Sequence, residues 1–178
     1  MALAEGQPVD LSWTLHLSAG LFAAAAFEAY LNYLGESLLS TLWKEERSFF
    51  SKAPYQGAEG RLRRIAEELA WPMPPKDEKP MSGWVELRSI RDRLVHARPK
   101  HTTYRITHKQ GEIPWLPISW LYGEAPSERI RLLIADTEEL ASSLHEQLRS
   151  SHAEEVAVGD HPFLGLLGLG VHSVERLG

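Results

Sequence analysis

The sequence predicts an all-α protein: an antiparallel bundle of four to five helices with a long irregular loop before the last main helix. Three observations carry this. Apolar residues recur at helical spacing in several separate segments. Prolines and glycines cluster between those segments. No internal repeat or low-complexity block points to a solenoid or a disordered chain. With 178 residues, 43% hydrophobic and 24% charged, the chain is long enough to bury one core without metal or disulfide support. The expected organisation is a helical domain over 1–155 and an apolar, glycine-rich tail over 156–178.

In chain order, Asp10 or Ser12 caps a long first helix over about 12–45. Two apolar stripes run along it at helical spacing: Leu11, Leu15, Ala19, Phe22, Ala26, Ala29 and Tyr33, and Leu17, Leu21, Ala24, Leu31, Leu38 and Leu42. Two stripes predict a central helix, and its alanines let neighbours approach closely. The segment comes closest to a membrane span, but Glu28, Asn32 and Glu36 interrupt it and much of its apolar character is alanine, so a buried helix and no membrane are expected. The N-terminus lacks the basic start and uninterrupted apolar run of a signal peptide.

After "SKAPYQG", Arg61 to Trp71 reads as a short amphipathic helix with Leu62, Ile65, Ala66 and Leu69 inward. The prolines of "WPMPPKDEKP" make an extended linker. From about Ser82 a helix places Leu87, Ile90, Leu94 and Ala97 on one face, and Pro99 ends it by pushing Arg98 out of α geometry. "TTYRITHKQGEIPWLPISW" mixes β-branched residues with glycine and proline, which predicts a loop with at most a short hairpin. Ser127 caps the last helix, to about Ser150, with Leu132 and Leu133 near its start and Leu140, Leu144 and Leu148 on its apolar face.

Composition narrows the chemistry. Without cysteine there are no disulfides, thiol nucleophiles or thiolate zinc sites, and a reducing cytoplasm is the simplest home. The histidines show no metal-ligand spacing such as HExxH, so no metal is expected. "GLLGLG" is no dinucleotide fingerprint, there is no Walker lysine, and no GxSxG elbow supports a serine triad; no cofactor is expected. A net charge of −5 discourages nucleic-acid binding by the whole surface. Residues 88–109 reverse that locally, with seven Lys and Arg against Asp92 alone.

Within this patch lies "RDRLVHARPKH", residues 91–101. On an ideal helix Arg91 falls about 40° from Leu87, at the edge of the core face, and His96 about 180° away, facing outward. The two side chains diverge, and a second copy across a two-fold axis would bring arginines and histidines into one basic cleft. Asp92, four residues before His96, is placed either to accept its ring N–H and fix the tautomer or to make a solvated ion pair. Arg93, Arg98, Lys100 and His101 are candidate substrate contacts; a solvated rim, favoured by the helix dipole, explains the cations equally. Glu28 falls in an apolar stripe and needs a partner if buried: Asn32, one turn on, or Arg91. Otherwise it extends to the surface. Trp84, Tyr104, Trp115, Trp120 and Tyr122 serve either base stacking or packing.

"IRDRLVHARP" resembles the Arg-x4-6-His signature of the HEPN superfamily, all-helical domains that commonly act as metal-independent endoribonucleases in toxin–antitoxin, phage-defence and RNA-processing systems. In that family a polar residue, often Asn or Asp, follows the arginine, as Asp92 does here. "SAGLFAAAAFEAYLNYLGESLL" resembles the family's early helix, with Glu28 and Asn32 at its acidic and polar positions. The resemblance covers roughly 12–98 and extends to the helix at 127–150. It implies a homodimer with facing motifs, RNA as substrate, and an antitoxin or defence-system protein as partner. It implies attack of a ribose 2′-OH on the adjacent phosphate, with Arg91, His96 and Asp92 as catalytic residues. His96 would transfer protons, Arg91 would stabilise the phosphate's added charge and Asp92 would orient His96. Glu28 and Asn32 would support the site. A HEPN-like module that only dimerises or binds a partner is the alternative.

Overall fold

The structure is a computed structural model, and it describes residues 11–96 and 126–152, together with Pro162. Among the described residues six helices follow one another: α1 (Leu11–Leu38), α2 (Ser40–Trp43), α3 (Glu46–Phe49), α4 (Gly57–Glu68), α5 (Met81–Val95) and α6 (Ser127–His152). No strand occurs among the described residues. The protein is an all-α bundle, as the periodicity predicts. The Asp10 cap, the side chain of Leu11, residues 97–125 with the loop expected there, and the 156–178 tail apart from Pro162 lie outside the described residues.

α1 buries a single seam. Trp13, Ala24, Phe27, Leu31 and Leu34 are buried along it, with Leu17 packed between. These steps of three, four and seven keep one side of a helix turned to its neighbours. The stripe expected from Leu15 to Ala29 faces outward instead, with Leu15 60% and Phe22 76% exposed. By length and composition Ser12–Leu38 could cross a membrane, yet its mean hydropathy of 1.2 is modest. Ser12 does not cap: the helix already includes Leu11, and the Ser12 hydroxyl bonds the His16 ring at 3.3 Å.

The long first helix also stops earlier than expected. At Leu39 the backbone leaves α geometry (φ −132°, ψ 39°), and α2 folds Trp43 back over Gly35. A side chain at Gly35 would overlap the indole ring, so the break and the glycine belong together. Trp43 then meets Phe50 edge to face, with centroids 4.9 Å apart.

α4 turns Leu62, Ile65 and Ala66 inward, as its pattern predicts. Its end is a Schellman turn: Ala70 takes a left-handed φ of 50°, Ala70 N–H donates to Glu67 O at 3.3 Å and Trp71 N–H to Ala66 O at 2.8 Å. α5 runs antiparallel to α6 and packs across α1. Along α1 a Cβ on Gly20 would meet Leu87 and Ile130, whereas Phe27 meets Trp84. Along α6, Arg129 pairs with Glu86 and Asp136 with Lys79 at 3.2 Å. α5 approaches α6 so closely at Gly83 that a Cβ there would overlap the Asp136 carboxylate.

The core has two parts. The larger joins Phe27, Tyr30, Leu31 and Leu34 to α2, α4, the start of α5 and the end of α6. Tyr30 and His145 meet inside it at 2.7 Å. Burial, with the Tyr33 phenol adding to it, pushes the Tyr30 phenol far above its ordinary value, so it stays protonated. The smaller part joins Trp13 and Ala24 to Leu87 and Ile90 of α5 and Ile130 and Leu133 of α6.

Candidate functional site at the end of α5

Trp84, Leu87 and Ile90 are buried at steps of three and fix the rotation of α5 about its axis. Arg91 follows Ile90 and therefore sits at the edge of the core, its side chain 21% exposed. From there its terminal nitrogen donates to a carboxylate oxygen of Glu28 on α1. Its Nε lies 3.2 Å from Asp92 Oδ1, although the angle there does not make a hydrogen bond. Arg91 is thus a guanidinium set between two carboxylates on two helices. The expected burial of Glu28 near Arg91 is met in geometry: the acid's side chain is only 23% exposed. Breaking such a charge-assisted bond costs about 1.5–3 kcal/mol.

Asn32, the other candidate partner of Glu28, is exposed. It lines a separate open groove with Glu36 and Trp43, and no bond joins it to Glu28 or Arg91. Among the described residues the acid's partner is therefore the arginine.

His96 closes α5. Its backbone has left the helix (φ −109°, ψ 31°), and its N–H donates to Asp92 O at 2.9 Å. That backbone bond is what links Asp92 to His96; the Asp92 carboxylate turns towards Arg91 instead. The helix ends at His96 rather than at Arg98, so the motif spans the final turn and its cap. The imidazole is exposed.

His96, Asp92 and Arg93 line one end of a groove of about 490 Å³ between α5 and the α4 side of the bundle. Glu59, Lys76, Val85, Arg88 and Ser89 line the rest. Arg91 is not among the lining residues, which agrees with the divergence expected of an ideal helix. Glu59 is the centre of the groove's charge: Oε1 accepts from Arg88 at 2.6 Å and Oε2 from Lys76 at 2.7 Å. Burial pushes the Glu59 carboxyl up, but the Lys76 hydrogen bond and the charges of Arg88 and Lys76 together outweigh it and leave it below the usual range. Arg88 also lies over the Trp84 ring, 5.2 Å from its centroid. Trp84 itself is fully buried and makes an edge contact with Phe27, so it serves packing rather than base stacking.

Sequence reasoning missed Glu59, Lys76 and Arg88 as groove residues. Arg88 carried a signal, since it lies eight residues before His96 and four before Asp92, on the same face of α5. Nothing local links Glu59 and Lys76 to it; only the fold brings them together. Arg98, Lys100 and His101 lie outside the described residues. Among the described residues no three acidic or imidazole side chains converge as a metal site would require. Comparisons of the chain with models of protein families, with curated proteins and with solved structures return no match.

Proposed function

We propose that the chain is a metal-independent endoribonuclease of the HEPN type, acting in solution in the cytoplasm as a homodimer, with a toxin or phage-defence role. The observation that carries the proposal is the last turn of α5: a carboxylate-held arginine at the core edge is followed by an exposed histidine on a basic groove. In this mechanism His96 removes the proton from a ribose 2′-OH as the oxygen attacks the adjacent phosphorus. Histidine is the side chain whose ring can both take and give a proton near neutral pH. The partner's histidine protonates the departing 5′ oxygen, leaving a cyclic phosphate and a 5′-OH. Arg91 donates to the phosphate oxygens as charge builds in the transition state. Glu28 positions Arg91, and Asp92 shares that task while its carbonyl anchors the His96 backbone.

The second reading is a HEPN-like module that dimerises or binds a partner without catalysis. It is favoured by one observation: the Arg91 guanidinium is already engaged by two carboxylates. Purified protein is incubated with mixed RNA in chelator beside Arg91→Ala and His96→Ala. The catalytic reading expects each substitution to slow cleavage at least about a hundredfold with the fold unchanged. Equal cleavage by His96→Ala would overturn it, and no cleavage by the parent chain would favour the second reading.

A further inference from the structure

We propose that the groove between α4 and α5 binds the phosphate backbone of single-stranded RNA, with Lys76 and Arg88 as the cations that take a phosphate and Glu59 as its internal stand-in. The proposal rests on the ribonuclease reading above and assigns it a substrate track.

The geometry at Glu59 is the starting point. Its two oxygens each hold one cation, Arg88 at 2.6 Å and Lys76 at 2.7 Å. A phosphodiester also presents two anionic oxygens on one centre, so the arrangement that suits the carboxylate suits the phosphate. The two cations differ in freedom. Arg88 is 19% exposed and packed over Trp84, a fixed fork. Lys76 is 63% exposed on the proline-rich linker, a flexible point charge that can follow an incoming anion.

The groove is also continuous with His96. Arg88, Ser89, Asp92 and His96 follow one face of α5, and the eight residues from Arg88 to His96 rise about 12 Å. That distance is more than one phosphate needs, so a chain lying along the groove meets the Glu59 cluster and His96 at different linkages. Lys76, Arg88 and Arg93 against Glu59 and Asp92 leave the lining with excess positive charge in a chain of net charge −5. A polyanion is attracted to this strip and not to the surface as a whole.

The test uses the full chain carrying His96→Ala, a fluorescein-labelled single-stranded 12-nucleotide oligouridylate, chelator, and anisotropy over a range of KCl. Lys76→Gln with Arg88→Gln is expected to weaken binding at least about tenfold and to reduce the slope of log Kd against log salt by about 0.7, the figure for one lost phosphate contact. Glu59→Gln removes the competing anion and is expected to tighten binding about threefold, the opposite of what loss of a merely structural ion pair would do. Arg88 packs on Trp84, so its replacement can disturb the fold. Lys76→Glu acts on an exposed side chain and must by itself weaken binding at least about threefold. Unchanged affinity and slope in Lys76→Glu, with RNA still cleaved by the parent chain, overturn the track alone. An oligonucleotide that the parent chain neither binds nor cleaves overturns both proposals.

Discussion

The two halves of the bundle are built to different standards. Where α1 ends, its side chains Phe27, Tyr30, Leu31 and Leu34 are enclosed by α2, α4, α5 and α6, and aromatic rings fill the space between them. Where α1 begins, only α5 and α6 pack against it among the described residues, and the core there is smaller. Among the described residues the exposed large apolar side chains all belong to this second half: Leu15 and Phe22 on α1, Val95 at the end of α5 and Leu132 near the start of α6. Arg91 and His96 stand on α5 as it enters the thinner half. The difference teaches that the enclosed half holds α5 in place while the open half leaves its last turn accessible to a ligand or a second chain.

That contrast can be broken by mutation. The largest effect is expected at Trp84, fully buried in the enclosed half, where Trp84→Ala costs about 4 kcal/mol in denaturant unfolding. Ile90→Ala in the thinner half, where the surroundings relax more readily, costs about 2 kcal/mol. Equal losses, although Ile90 deletes the smaller side chain, would mean that the thinner half is packed at least as tightly as the enclosed one. Tyr30→Phe removes one member of the buried Tyr30–His145 bond and lowers stability by about 1 kcal/mol, measured in the same way.

A smaller effect has a pH signature. The folded-state pKa of Glu59 is depressed, so its contribution is present above the ordinary carboxylate pKa and is lost as pH falls through the folded value. Glu59→Gln should therefore cost less than about 1 kcal/mol at pH 7, a modest figure because the group is partly in solvent, and nothing near pH 2. Thermal melts of both proteins from pH 7 to pH 2 check this; a constant gap would rule out the charge as its cause. The smallest effect is expected at Phe22. Phe22→Ser on the open face should change monomer stability by no more than about 0.5 kcal/mol. A loss of 2 kcal/mol or more would show that the face is covered in solution.

Much of this architecture could be read from spacing. The inward faces of α4 and α6 follow their apolar periods, with Leu62, Ile65, Leu140, Leu144 and Leu148 all buried. α1 was harder, because two stripes share the same helical spacing and hydrophobicity does not rank them. Volume does: Trp13, Phe27 and Tyr30 fill the core, whereas the alanines opposite them leave little to bury. The stop after Leu38 was hidden because it arises from a tertiary contact, Trp43 over Gly35, and not from a proline.

The site divides in the same way. Glu28 beside Arg91 was legible from the cost of burying a lone carboxylate, which demands a cation close by. The direction of the Asp92 carboxylate was not. Spacing put it near His96, and the structure places it at the partly buried guanidinium of Arg91 instead. The Glu59 cluster was illegible locally, since its three members lie on α4, on the linker and on α5 and are joined only by the path of the chain.

The close approach of α5 to α6 at Gly83 has one more consequence. With the Asp136 carboxylate seated directly against that glycine and Lys79, just ahead of α5, clasping it, the start of α5 has no room to slide lengthwise. Any response to an arriving molecule must therefore be made by swinging side chains and by unwinding the terminal turn, while the rod beneath stays locked in register.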